Sequence, residues 1–325
     1  MSHARKFFAA LVQSLVLTLG VALSAQSAMA EDENGGDKAP HQDMVLKGDA
    51  KCTRCHDETE AYPVLSIGKT RHGTVADLRT PTCTSCHGES SAHVDNPAGT
   101  KDRPKVDRLF GKKSTTPVAT RNEACLTCHQ GGNKRIGWQS GTHALRDVAC
   151  TSCHQVHAAR DPVRDKLTQF EVCFTCHKEQ RAQINRPSHH PIKEGKVSCS
   201  SCHNPHGDNL KHLVKSSVNE TCYTCHMEKR GPFVHNHQPV TEDCSICHNP
   251  HGSTIANLLK ARPPFLCQEC HNHESHPSQA SGLPAGRTTS SSQLGSVGRG
   301  CLNCHTNIHG GNSTQNSATA GRFRR

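Results

Sequence analysis

Aromatic residues make up only 3% of this 325-residue chain: one Trp, two Tyr and eight Phe. Apolar residues reach 33% with every cysteine counted. That is too little for an ordinary side-chain core, so something other than packed side chains must supply the interior. Methionine is almost absent, and beyond residue 30 only Met44 and Met227 remain. Long apolar runs are missing there too. Nothing approaches the ~20 residues of a membrane helix, and no ladder of alternating ten-residue strands announces a membrane barrel. The chain is expected to be unable to cross a bilayer unaided.

The one apolar stretch is at the start. Arg5 and Lys6, the run from Phe7 to Ala25 and the small-residue site Ala28-Met29-Ala30 read as a cleaved export signal over residues 1–30. The formal charge of +10 first suggests nucleic acid or membrane lipid, but the motifs below argue against such a partner.

Cysteine is abundant, and all twenty residues fall into ten Cys-x-x-Cys-His motifs. These are Cys52/Cys55/His56, Cys83/Cys86/His87, Cys125/Cys128/His129, Cys150/Cys153/His154, Cys173/Cys176/His177, Cys199/Cys202/His203, Cys222/Cys225/His226, Cys244/Cys247/His248, Cys267/Cys270/His271 and Cys301/Cys304/His305. Thiols three residues apart lie on one side of a helical turn, where both can reach the vinyl groups of one haem. The following His then offers its imidazole to the iron. Zinc is the competing reading, but it needs no His after every second Cys. The expectation is ten covalent haem c groups, whose porphyrin faces replace the missing apolar core. Without Arg5 and Lys6 the mature chain stands at +8. Ten ferric haems with ionised propionates, at about −1 each, bring it near −2. The basic residues then offset propionates, and no nucleic-acid partner is expected.

The predicted fold is a multihaem cytochrome c: mostly irregular, with short α-helices at the motifs, almost no β-structure and an elongated haem wire. First cysteines from Cys125 to Cys267 recur every 22 to 26 residues, and alternate motifs share flavour, so the repeat is a two-haem unit. The predicted divisions are the signal at 1–30, haems 1–5 at 31–186, haems 6–10 at 187–309 and a frayed tail at 310–325, the halves forming one continuous array. Besides that tail, two segments break the repeat. Ala98 to Val118 is basic and reads as a solvated loop, with a docking patch as the alternative; Ser278 to Gly300 reads as a flexible loop.

Ten further histidines stand in register around the even-numbered motifs. His72, His143, His190, His237 and His276 precede them; His93, His157, His206, His251 and His309 follow them. They are the candidate distal ligands, giving every iron two imidazoles. His157, His206 and His251 each follow a motif His by three residues. Both rings then leave the same face, so each must serve a neighbouring haem. His41, His189, His212, His235 and His273 are spare, with His189 and His235 the strongest rivals. With so little methionine, low potentials should dominate, and six-coordinate irons leave no place for a substrate. No catalytic residues are therefore expected.

The chain resembles the MtrA/DmsE/PioA family of periplasmic decahaem cytochromes. The shared features are the ten motifs, Phe110-Gly-Lys-Lys-Ser114, His237-Gln-Pro-Val240, Leu266-Cys-Gln-Glu-Cys-His271, His276-Pro-Ser278 and the segment from Cys301 to Gly310. The resemblance implies an exported electron-transfer protein held inside an outer-membrane β-barrel porin. It implies periplasmic or inner-membrane cytochromes on one side, and an extracellular multihaem cytochrome, metal ions or minerals on the other. The stretch between His276 and Cys301 is longer than the family's, and the tail lacks a His-Pro pair, so contacts at the outer end are where this chain departs. A soluble periplasmic shuttle or store is the alternative function, and a terminal reductase with one open haem ranks behind it. The direction of electron flow is open.

Overall fold

The computed structural model describes residues 49–57, 62–73, 80–96, 102–111, 113–132, 135–209, 211–271, 301–303 and 305–313. The signal, the loop at 278–300, His41, His273, His276 and Cys304 lie outside the described residues.

Short helices dominate, as the motif spacing predicts. The longest, Val118–His129, ends on the third motif His; the others run three to six residues. Helical turns such as Cys83–His87 and Cys199–Cys202 are the motifs themselves. Local polar residues start them. Thr82 Oγ1 accepts from Ser85 N–H at 3.2 Å, while Ser85 Oγ accepts from Thr82 N–H at 3.1 Å, a reciprocal cap that satisfies two otherwise unpaired donors. Among the described residues β-structure is limited to isolated bridges, including His203–Leu213 and His248–Leu259.

The apolar core is as small as the composition demands. One cluster joins Phe174, Ile184 and Ile192, with Phe170 and Val197 against it. Buried polar residues do more of the joining. Asp49, Asn122, Gln169 and Asn219 are all buried, and each sits just before an odd-numbered motif. Each side-chain oxygen accepts a backbone N–H from the following even-numbered motif. Asp49 takes Cys83 N–H at 2.6 Å, Asn122 takes Cys150 at 2.8 Å, Gln169 takes Ser200 at 2.9 Å and Asn219 takes Cys244 at 2.8 Å. The amides also donate, Asn122 to Val148 O and Asn219 to Val240 O and Thr241 O. These staples give the two-motif repeat its physical unit, because a buried, unmade hydrogen bond is costly.

Two sequence expectations need correction. The basic stretch 98–118 is not a free loop where it is described. Arg108 N–H donates to His87 O at 3.0 Å, Asp107 Oδ2 accepts Ser90 N–H at 2.8 Å, and Arg108 reaches Ser85 O. It is a strap across the second motif. The tail also begins later than residue 310. His235 and Gly311 exchange backbone hydrogen bonds of 2.9 and 3.0 Å, and Asn312 Oδ1 accepts Val234 N–H at 2.9 Å. Small residues at 310 and 311 let the chain run close to its neighbour there.

Candidate functional site

Every described cysteine is a free thiol, and the thiols meet in an alternating pattern. The first cysteine of each odd motif lies close enough to the first of the next even motif for the two thiols to interact: Cys52 with Cys83, Cys125 with Cys150, Cys173 with Cys199, Cys222 with Cys244, Cys267 with Cys301. The second cysteine of each even motif is close enough to feel the charge of the next odd motif's second cysteine. These neighbours are Cys86 and Cys128, Cys153 and Cys176, Cys202 and Cys225, and Cys247 and Cys270. Motif order in the chain is thus motif order in space. Burial and the nearby Asp49 carboxylate push the Cys83 thiol up to about 12.

The two cysteines differ in cover at six of the described motifs. Every described first cysteine is half-buried, whereas Cys55, Cys128, Cys176, Cys202, Cys225 and Cys270 are exposed. Cys86, Cys153 and Cys247, the second cysteines of the second, fourth and eighth motifs, are half-buried like the first.

The histidines meet just as regularly. Nine of the ten motif imidazoles face one imidazole of the candidate distal set, with ring centroids 5.8–6.4 Å apart. The pairs are His56–His93, His87–His157, His129–His72, His154–His206, His177–His143, His203–His251, His226–His190, His248–His309 and His271–His237. Two nitrogens bonded to opposite sides of one metal ion lie about 4 Å apart. One ring radius added at each end brings the centroids to about 6 Å, which is the spacing present. The remaining motif residue, His305, has its candidate partner His276 outside the described residues.

The distal rings follow a rule that spacing alone did not reveal. A histidine preceding an even motif pairs with the next odd motif, as His143 does with His177. A histidine following an even motif reaches back two motifs, as His206 does to His154. The expected service to a neighbour is therefore to the motif two earlier. His93 has no such motif available, and pairs with His56 instead.

The second nitrogens hold the rings in place. Nδ1 of His87 donates to Arg108 O, His93 to Pro104 O, His203 to Lys211 O and His248 to Asn257 O, at 2.7–3.2 Å. With Nδ1 protonated and engaged, Nε2 keeps the lone pair that a metal needs. Nε2 of His93 is buried with no hydrogen-bond partner among the described residues, on a ring that faces His56. Burial lowers the pKa values of His87, His129, His157, His177, His206, His237, His251 and His309. The lowering favours the neutral imidazole, the form able to bind a metal.

The His-Asn-Pro-His segments, 203–206 and 248–251, carry more than sequence reading assigned them. Asn204 and Asn249 Oδ1 accept the backbone N–H of His206 and His251 at 3.3 Å, tightening the turn. The intervening carbonyls then take up other distal rings. Pro205 O accepts from His143 Nδ1 at 2.9 Å and Pro250 O from His190 Nδ1 at 2.8 Å. Four residues thus act at three sites: His203 at its own motif, Pro205 on the partner of the fifth, His206 on the fourth. The recurring Asn-Pro could have signalled a shared turn, but its carbonyl target lies about sixty residues away in sequence.

The spare histidines have other tasks. His212 Nδ1 donates to Gly207 O and its Nε2 meets Thr142 Oγ1, both at 2.8 Å. His235 Nε2 meets Ser313 O at 3.0 Å, and His189 Nδ1 meets Arg186 O at 2.5 Å. Neither rival displaces a candidate ligand. The chain's one Trp, Trp138, is spent on packing edge-on against His206, centroids 5.8 Å apart.

No helix among the described residues is long and apolar enough to cross a membrane. Residues 83–169 match the family described as cytochrome c-type protein NrfB-like. Residues 189–231 and 237–276 each match the doubled CXXCH motif. Multiheme cytochrome MtrA of Shewanella baltica is 45% identical over 275 residues, covering 82% of this chain and 79% of that protein. Cytochrome c-type protein NrfB of Haemophilus influenzae is 31% identical over 160 residues, covering 44% of this chain and 70% of that protein. Thiol pairs and imidazole pairs in one unbroken order, with a relative this similar over most of its length, lead to one assignment: the chain belongs to the MtrA family of multihaem c-type cytochromes, electron-transfer proteins with covalently attached haem.

Proposed function

We propose that this chain holds ten haem c groups, each iron between two imidazoles, and carries electrons across the outer membrane inside a β-barrel porin. The observation that carries the reading is the series of nine facing histidine pairs in motif order. In this reading the twenty cysteines form the thioethers and the ten motif histidines are proximal ligands. The distal ligands are the pairs described above, with His276 left for His305. Bound haem iron supplies reversible one-electron chemistry. The polypeptide orders the groups in a line, fills both axial positions and so keeps substrates away from the metal. The staples hold successive motifs together, which favours short electron-transfer steps along the array, from residues 31–186 into 187–309.

A polar chain of this kind needs a protein sheath to pass through lipid. The proposed partners are therefore a porin, cytochromes of the periplasm or inner membrane, and an extracellular cytochrome, metal ion or mineral. The similarity to NrfB over residues 83–169 supports a second reading, a soluble periplasmic carrier. Mild-detergent purification of the haem-staining band from native membranes separates the two. Co-purification with a β-barrel protein, and protease resistance lost when that barrel is removed, is expected for the conduit. Recovery of all the cytochrome as a free soluble protein would overturn it.

A further inference from the structure

The proximal histidines of the second, fourth, sixth and eighth motifs allow a like-for-like comparison. His87, His203 and His248 each donate Nδ1–H to a neutral backbone carbonyl, of Arg108, Lys211 and Asn257. His154 occupies the same place in the fourth motif but donates to a carboxylate, Asp161 Oδ2, at 2.7 Å. A carboxylate also lies near Nδ1 of His226, in the seventh motif. That Glu228 oxygen is 3.6 Å away, and both side chains are more than half exposed, so water screens the contact.

The Asp161 contact is different in kind. The Asp161 side chain is only 18% exposed. Its Oδ1 accepts the backbone N–H groups of Gln155 at 3.2 Å and Val163 at 3.4 Å. Three donors thus converge on this carboxylate, two backbone N–H groups on Oδ1 and the His154 ring on Oδ2, and they fix its aim at the ring. Capping the short helix Pro162–Arg164 explains Oδ1; it does not explain why Oδ2 points at Nδ1.

We propose that Asp161 is a positioning residue that makes the fourth site harder to reduce than the second, sixth and eighth. The inference rests on the reading of His154 and His206 as the two ligands of one haem iron. A carboxylate accepting the Nδ1 proton gives the ring partial imidazolate character and makes Nε2 a stronger donor. The adjacent negative charge adds to the effect. Both stabilise ferric over ferrous iron and lower the potential, and hydrogen bonding beyond the axial ligand is one of the protein's few levers on it. The array would then contain an uphill step near its middle, and electrons supplied from either side would reside mainly on other sites.

The test is a reductive titration of the full-length, haem-loaded protein carrying Asp161→Asn, which can still cap the helix through its amide oxygen. Reduced-haem absorbance and the low-spin ferric EPR signals are followed together. About a tenth of the absorbance change should leave the low-potential end of the curve and move positive, with every haem still low-spin. Asp165→Asn, which removes a charge from the same loop by breaking the 2.7 Å contact with Arg160, should leave the curve unchanged. A superimposable curve for Asp161→Asn, or an equal shift for Asp165→Asn, would overturn the proposal. His206→Ala separates this failure from failure of the ligand assignment: if it produces no high-spin iron, the assignment itself is wrong.

Discussion

The central repeat and the amino-terminal region solve the same problem differently. Between residues 118 and 260 each distal ring comes from a fixed place in a neighbouring unit, and a carbonyl from the His-Asn-Pro-His turn orients rings elsewhere in the array. Between residues 49 and 111 the first motif has no earlier unit to exchange with. His93 folds onto His56 instead, the ring planes only 12° apart. The inserted strap supplies the missing second partner through Pro104 O, 2.7 Å from His93 Nδ1. The repeat determines its own interior, but an end requires a separate device.

The largest effect should come from deleting rings on either side of this comparison. His206→Ala and His93→Ala should each convert one iron to a high-spin form that binds carbon monoxide when reduced. The central deletion should also lower end-to-end electron transfer at least tenfold, read by stopped-flow reduction with a donor at one end. Equal low-spin content in both variants and wild type would refute the pairing.

The staple should matter nearly as much for folding. Asn219→Ala removes three hydrogen bonds and leaves Cys244 N–H, Val240 O and Thr241 O to find new partners. A loss of about 2–4 kcal/mol is expected in denaturant unfolding of the haem-loaded protein. Less than about 0.5 kcal/mol would mean the staple is incidental.

A smaller effect distinguishes two copies of one turn. Gly252 follows His251 with φ +151°, and a Cβ there would strike the Gln183 carbonyl. Gly207 follows His206, and a Cβ there would meet Asn204 Nδ2 at 3.0 Å, an atom at the end of a movable side chain. Gly252→Ala should lower the melting temperature by several degrees more than Gly207→Ala. The reverse order would show that the two turns are not held as their contacts indicate.

The smallest effect is electrostatic. Burial would raise the Asp243 carboxyl, but the Ser245 hydroxyl and amide and the Lys211 ammonium outweigh it and leave it below its ordinary value of 3.8. A depressed carboxyl stabilises the fold above that ordinary value, and the contribution is lost as pH falls through the lower folded value. Asp243→Asn should therefore cost at most about 1 kcal/mol at pH 7, given its partial exposure. The difference should shrink below pH 4 in paired melting curves. A difference that grows on acidification would reverse the assignment.

The ten motifs, the two-unit repeat, the short helices and the candidate ligand set were all legible in the residues, because covalent attachment imposes a spacing that little else needs. His189 and His235 could not be separated from the ligand set by spacing. Only the contacts to Arg186 and Ser313 show what they do instead. The strap was read as a solvated basic loop because Arg103, Lys105 and Arg108 dominate its composition. Its contribution comes from the carbonyls of Pro104 and Arg108, which composition does not record.

By itself the sequence determined what could be bonded: which thiols and which imidazoles, how many, and in what local register. That followed from covalent distance along a short peptide. Which imidazole faces which, and what holds each second nitrogen, was decided only by the tertiary structure. Those contacts join residues up to about sixty positions apart through backbone carbonyls, and every residue has a carbonyl, so no side-chain pattern could mark the ones that matter.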